Sequence, residues 1–384
     1  MRFEFASSRR IIFGPGVLQE ISSFTTDLGS RALVVTGRAT DRATPLLDLL
    51  DKTGINSELF SVHDEPTIEI VRQGIKLARR EACDIVIGFG GGSPLDTGKA
   101  IAALMSNGDD PLDFLEVIGS GKPLTQPSVP YIAIPTTAGT GSEVTHNAVL
   151  ASPKHRVKVS LRSPNLLPRL AIVDPELTYS MPPSVTASTG LDALTQVLEP
   201  YLSRRANPLV DAFCREGMRR ASRSLRPAYL HGSDIAARED MSLASLFGGI
   251  ALANAGLGAV HGFAGPFGGM FHAPHGATCA ALLPHVMEIN VLALKARAPH
   301  SEVLPRYDEV AQILTGNPKA AAEDGVTWLR ELCQELQIPP LGSYGITEAD
   351  FPTLIEKAKV SSSILANPIS LTRDEMHEIL QKAI

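Results

Sequence analysis

A small set of side chains in the second half of the chain has the chemistry to bind a divalent cation. Asp192 and Gln196 stand four residues apart in GLDALTQVLEP, a spacing that puts both on one face of a helix. Further on, the stretch HGFAGPFGGMFHAPHG supplies His261, His272 and His275. Carboxylate and imidazole donors suit zinc or ferrous iron, and such a cation would polarise a carbonyl oxygen as a Lewis acid. Any one of these histidines taken singly reads better as a core or capping residue, because histidine is often partly buried without holding a metal. Phe263, Phe267 and Phe271 repeat at i, i+4, which suits a core stripe more than the lining of a substrate pocket.

A second chemistry-bearing stretch runs from Ile85 to Ala100, IVIGFGGGSPLDTGKA. Its apolar run ends in Gly88, Gly90, Gly91 and Gly92, and the pattern predicts strand, glycine loop and helix, with Ser93 as N-cap and Pro94 as the first helical residue. Glycines allow positive φ and close backbone approach, and a helix start offers unpaired N–H groups to a phosphate. The stretch departs from G-x-G-x-x-G because no glycine follows at the sixth position, so by spacing alone it reads equally as an ordinary strand-to-helix turn. A loop dense in hydroxyls and glycines, Pro135 to Glu143 (PTTAGTGSE), follows the next apolar run and would suit contacts to a cofactor.

The surrounding pattern predicts how these stretches are held. Arg31–Thr36 and Ser57–Val62 read as strands and Ala43–Asp51 as a helix, while Thr67–Ala82 carries Ile68, Val71, Ile75 and Ala78 at helical spacing. With the Ile85 and Tyr131 runs, this alternation predicts a mostly parallel sheet covered by helices, its ligand crevice at the carboxyl ends of the strands. Beyond Pro182-Pro183 the periodicity turns helical, over Ser184–Leu202, Leu209–Leu225, Ala237–Ala253, Ala320–Leu336 and Glu348–Val360. The expected division is an α/β dinucleotide-binding domain over 1–180 and an all-helical metal- and substrate-binding domain over 181–384.

Composition narrows the function classes. Hydrophobic residues make up 44% and charged ones 20%, with a net charge of −6, so neither a basic nucleic-acid face nor a polybasic membrane patch is expected. The most apolar long stretch, Phe247–Val260, carries glycines and is too short to span a bilayer, so no transmembrane segment is expected. Cys83, Cys214, Cys279 and Cys333 are scattered with no C-x-x-C spacing and no signal peptide before them, which fits a reducing cytoplasm.

Five motifs together carry a resemblance: GGGSPLDTGK (Gly90–Lys99), PTTAGTGSEVT (Pro135–Thr145), DPELT (Asp174–Thr178), GLDALTQVLE (Gly190–Glu199) and HGFAGPFGGMFHAPHG (His261–Gly276). In type, order and interval they resemble the iron-dependent alcohol dehydrogenase family, whose relatives include maleylacetate reductases and glycerol dehydrogenases. The resemblance implies a Rossmann-like N-terminal domain and an all-α C-terminal domain, the plan shared with dehydroquinate synthase. It also implies NAD or NADP, a catalytic Fe²⁺ or Zn²⁺, a small alcohol, aldehyde or oxo-acid substrate, and a homodimer.

Carried over by position, Asp192, His261 and His275 match the family's metal ligands, while the remaining ligand histidine falls on Gln196, whose amide oxygen is the weaker donor. A further family histidine near the nicotinamide falls on Gly265. The resemblance puts Gly91, Gly92 and Ser93 at the pyrophosphate, and Asp96, Thr136, Thr137 and Thr140 along the cofactor. Lys158 falls near the nicotinamide ribose, where with His261 and His275 it would belong to the catalytic set. Where NAD-using members carry an Asp after the first strand, this chain has Gly37-Arg38, which favours NADP because a carboxylate would repel the 2′-phosphate and an arginine would bind it. Three alternatives stay open: a metal-independent maleylacetate-type reductase, a lyase or cyclase of the dehydroquinate synthase plan, and a cofactor-binding protein without activity.

Overall fold

A computed structural model describes residues 2–25 and 27–384. The chain divides into two compact units, one of Ala6–Thr137 with Gly141–Tyr179, the other of Ser180–Ile384 joined by Ala138–Thr140 and the residues up to Phe5.

In the first unit, β1 (Ile11–Phe13), β2 (Arg31–Thr36), β3 (Asn56–Ser61), β4 (Ile85–Gly90), β5 (Tyr131–Pro135), β6 (Asn147–Ser152), β7 (Val157–Arg162) and β8 (Leu170–Val173) follow one another. Six of them form a sheet in the order β1-β8-β5-β4-β2-β3, parallel at every pairing, and β6 and β7 make a separate antiparallel hairpin. The helices are α1 (Ile21–Thr25), α2 (Thr44–Lys52), α3 (Ile68–Arg80) and α4 (Gly92–Asn107). Alternate residues of β2 explain the layering. Ala32 and Val34 bury against Ile21, Leu46 and Leu50 of α1 and α2, whereas Leu33 and Val35 bury with Val71, Ile75 and Ile101 of α3 and α4. Both faces of the sheet are thereby covered, and only strand ends remain for a ligand.

Strand order reverses between β2 and β4, so their carboxyl ends, Thr36-Gly37-Arg38 and Gly90-Gly91-Gly92, lie side by side at a topological switch point. The start of α4 differs from the expected cap. The helix begins at Gly92 with Gly91 as N-cap, and no side chain caps it. Gly90, at φ +156°, turns the chain straight from strand to helix, and Pro94 needs no partner because the first-turn N–H groups are unpaired in any case. Close packing of α4 on β4 and β5 rests on two further glycines. A Cβ on Gly88 would stand 2.3 Å from Tyr131 Oη, and one on Gly98 would stand 3.0 Å from the same ring.

The second unit is helical: α5 (Pro183–Leu202), α6 (Pro208–Leu230), α7 (Ile235–Ala255), α8 (Ala259–Phe271), α9 (His275–Arg297), α10 (Leu304–Thr315), α11 (Ala322–Glu335), α12 (Phe351–Lys359) and α13 (Arg373–Ala383). Helix α5 is its axis, buried without interruption from Gly190 to Leu202 and packed against α6, α7 and α9. Side-chain caps start its neighbours: Asn207 accepts from Val210 N and Asp234 from Ala237 N. Helix α9 is long and apolar enough to cross a membrane, which the sequence reading did not expect of any segment. Its apolar window is 83% buried among the other helices, as a core helix requires.

Candidate functional site

Helix α5 brings three polar side chains into the core of the helical unit. Asp192, Gln196 and Glu199 lie on one face and are all buried, a costly arrangement unless partners or an ion compensate it. From α8, His261 places Nε2 3.3 Å from Asp192 Oδ1 and Nδ1 2.6 Å from Glu199 Oε2. His275, the first residue of α9, places Nε2 4.0 Å from the same Asp192 oxygen. The side chains of Asp192 and His261 are 2% and 6% exposed, that of His275 36%.

Two observations show that these residues fit a cation. Asp192 Oδ1 and Gln196 Oε1 are both buried without a hydrogen-bond partner. The Gln196 amide is oriented by its own nitrogen, which donates to the carbonyl of Gly139 at 3.1 Å and leaves the oxygen as the free donor atom. Electrostatics agree. Burial works against the charged form of Asp192, yet His275 and His261 outweigh it and hold the carboxyl below its usual range. Burial likewise disfavours an imidazolium at His261, but Cys279, Asp192 and Glu199 prevail and raise its pKa well above the ordinary value. The pocket favours positive charge.

Two residues of this centre escaped the sequence reading. Glu199 accepts from the backbone N–H of Val260 at 2.7 Å as well as from His261, so its carboxylate fixes both the start of α8 and the ring of its histidine. Cys279 lies one turn after His275, its Sγ 3.6 Å from His275 Nε2, and its sulfur joins the donor atoms of Asp192, His261 and His275, all within 4.8 Å of one another. Helical spacing was the available signal for both, since Glu199 follows Gln196 by three and Cys279 follows His275 by four. His272 is outside the group, exposed in left-handed conformation at the end of α8. Phe263 and Phe267 are buried core, and a Cβ on Gly265 would meet nothing within 4 Å.

At the sheet's switch point the stretches expected to bind a nucleotide assemble. The uncapped first turn of α4 presents Gly92 and Ser93, and Thr136 is tied to the strand end by its N–H, which donates to Gly90 O at 2.9 Å. Gly91 has φ −78°, so positive φ is required at Gly90 and not at Gly91; what Gly91 lacks is a Cβ, which would stand 3.3 Å from Thr137 Oγ1. At Gly37 an added Cβ would have one neighbour within 4 Å, Pro94 Cγ at 3.9 Å. Arg38 is 70% exposed and paired at 3.1 Å with Asp64, itself 80% exposed.

Two residues expected along the cofactor, Asp96 and Lys158, have partners within the protein. Asp96 accepts from Ser142 Oγ at 2.5 Å and from Val149 N at 2.9 Å, so both oxygens have protein partners. Lys99, buried one turn later, donates to Ser142 O, Thr145 Oγ1 and Asn147 O. Together they fasten the PTTAGTGSEVT loop to α4. Lys158 on β7 pairs with Glu65 at 2.8 Å and is almost wholly buried. Thr140 belongs with Ala138 and Gly139 to the helical unit, apart from Thr136 and Thr137, because Gly139 is bonded to Gln196 and a Cβ there would stand 2.6 Å from Thr189 Cβ.

A doubly wound sheet with a glycine turn at its switch point, and a helical unit carrying a carboxylate–imidazole centre, are the parts that a dehydrogenase with a nicotinamide cofactor and a metal requires. Residues 8–175 match the family model described as iron-containing alcohol dehydrogenase, and residues 186–384 match its C-terminal counterpart. The chain is 35% identical to the 1,3-propanediol dehydrogenase of Klebsiella pneumoniae, over 99% of this chain and 98% of that protein. To alcohol dehydrogenase 4 of Saccharomyces cerevisiae (strain YJM789) it is 34% identical, over 97% and 96%. Among solved structures, a 1,3-propanediol oxidoreductase superposes with TM-score 0.92 at 34% identity, and an alcohol dehydrogenase from Oenococcus oeni with TM-score 0.92 at 32%, each covering 100% of both chains. The chain belongs to the iron-containing alcohol dehydrogenase family. It is an alcohol dehydrogenase, an oxidoreductase acting on CH–OH groups.

Proposed function

We propose that this alcohol dehydrogenase prefers NADP, holds Fe²⁺ or Zn²⁺ on Asp192, His261 and His275, and interconverts a small alcohol with its aldehyde or ketone, as a cytoplasmic homodimer. The observation that carries the metal assignment is the buried, unpartnered Asp192 Oδ1 beside two imidazole nitrogens. When bound, the nicotinamide carries the hydride and the cation withdraws electron density from the alcohol or carbonyl oxygen. Glu199 keeps the His261 proton on Nδ1 and leaves Nε2 as the donor atom. Relatives that include dehydrogenases of 1,3-propanediol, long-chain alcohols and methanol support an alcohol substrate.

The NADP preference rests on Gly37 and Arg38. An open position after β2 admits a 2′-phosphate, and the solvent-exposed Arg38–Asp64 pair is weak enough to be exchanged for a phosphate contact. Metal analysis of the purified protein, with aldehyde-dependent NADPH oxidation followed with and without chelator, tests the reading. Bound metal and loss of the rate on chelation are expected. A protein that contains no metal, binds none on titration and reduces a carbonyl substrate undiminished in chelator would overturn it in favour of the metal-independent oxo-acid reductase.

A further inference from the structure

We infer that Cys279 is a direct ligand of the metal centre, taking the donor role for which Gln196 is poorly suited, and that its thiolate tunes the centre towards zinc-like, borderline-soft cations. The inference rests on the reading of Asp192, His261 and His275 as a metal centre. Cys279 is buried, on the same face of α9 as His275, with Sγ 3.6 Å from His275 Nε2. A tetrahedral ion with bonds of about 2.0 Å to nitrogen or oxygen and about 2.3 Å to sulfur has donor–donor edges of roughly 3.3–3.5 Å. The separations between Asp192 Oδ1 and His261 Nε2, 3.3 Å, and between Cys279 Sγ and His275 Nε2, 3.6 Å, are already of that size. The Asp192 Oδ1–His275 Nε2 pair is wider at 4.0 Å, and all four donor atoms lie within 4.8 Å of one another, so side-chain shifts of about 1 Å would close the set around an ion without rebuilding a helix.

Gln196 offers a neutral amide oxygen, and its side chain is tethered through Nε2 to the carbonyl of Gly139. A thiolate carries a full charge and is the softer donor, so where both are near one cation the sulfur dominates the affinity for Zn²⁺ or Co²⁺. Coordination converts the thiol to thiolate with release of its proton to solvent, and no electron is exchanged. The remaining cysteines do not compete: Cys83 lies in the sheet unit, and neither Cys214 nor Cys333 belongs to the cluster.

Co²⁺ titration of the full-length, metal-stripped protein tests this by absorption spectroscopy. Visible d–d bands saturating at one equivalent report occupancy of the centre, and a sulfur-to-cobalt charge-transfer band in the near ultraviolet reports the thiolate. Both bands are expected in the unsubstituted protein. In Cys279→Ala the charge-transfer band should vanish and the Co²⁺ and Zn²⁺ dissociation constants should rise at least ~10-fold, more than in Gln196→Ala. Stoichiometric d–d bands with no charge-transfer band would overturn the role of Cys279 and leave the metal centre standing. Failure to bind Co²⁺ or Zn²⁺ at all would overturn both. The result on the unsubstituted protein decides the matter even if Cys279→Ala fails to fold.

Discussion

Glu199 Oε2 lies 2.6 Å from His261 Nδ1 in the core of the helical unit, and its other oxygen accepts the N–H of Val260 at 2.7 Å. One carboxylate thus orients an imidazole of the proposed metal centre and anchors the helix that carries it. Glu199→Gln removes the charge while keeping the shape. Metal affinity should fall about 10- to 100-fold, the usual cost of losing such an outer partner. A chelator-competition titration measures it, and an unchanged dissociation constant would show that the contact does not orient the ring.

The glycine turn allows two substitutions to be told apart. Gly90→Ala meets both a positive φ and a Cβ 2.6 Å from Pro94 Cγ, so it should destabilise the sheet unit by about 1–3 kcal/mol. Gly91→Val has an ordinary φ, and its side chain would crowd Thr137 and the approach to the first turn of α4. It should weaken NADPH binding with little change in melting temperature. Cofactor fluorescence titration and thermal melts separate the effects, and equal losses of stability in the two variants would contradict the assignment.

Cofactor preference should turn on Gly37. Gly37→Asp places a carboxylate where there is room for it, repelling a 2′-phosphate and accepting bonds from a free ribose hydroxyl. The ratio of kcat/KM for NADPH to that for NADH should drop below its value in the unsubstituted protein. A parent enzyme that uses NADH as well as or better than NADPH would refute the preference.

Stability should also report Glu143. Burial pushes its carboxyl up to about 7 from 4.5, against a smaller opposing effect of Lys99. Because the folded state holds this proton over a range in which the unfolded state has released it, stability declines as pH rises from about 4.5 to about 7, by at most about 3 kcal/mol. Glu143→Gln abolishes the linkage, so its melting temperature relative to the parent should improve across that window. A difference that stays flat with pH would mean that the carboxyl titrates normally.

Much of the plan was legible in the chain itself, because period and punctuation are local properties. β-branched runs separated by helical repeats imply a covered parallel sheet, and the turn from Gly88 to Pro94 announces a strand feeding a helix. Asp192, His261 and His275 were also legible, from residue type and family pattern, and they do converge. Tertiary structure decided what sequence distance conceals. Glu199 and Cys279 became members of the centre only when α5, α8 and α9 packed together, since a donor's partner is set by helix crossing and not by chain position. Asp96 and Lys99 sit in a phosphate-loop motif yet spend their bonds on Ser142, Val149 and Asn147, a choice made by the loop that folds over α4. Likewise that helix starts at Gly92 behind the turn at Gly90, where residue types alone pointed to Pro94 behind a Ser93 cap. Residue types state which bonds a side chain is able to make; packing decides which of them it makes.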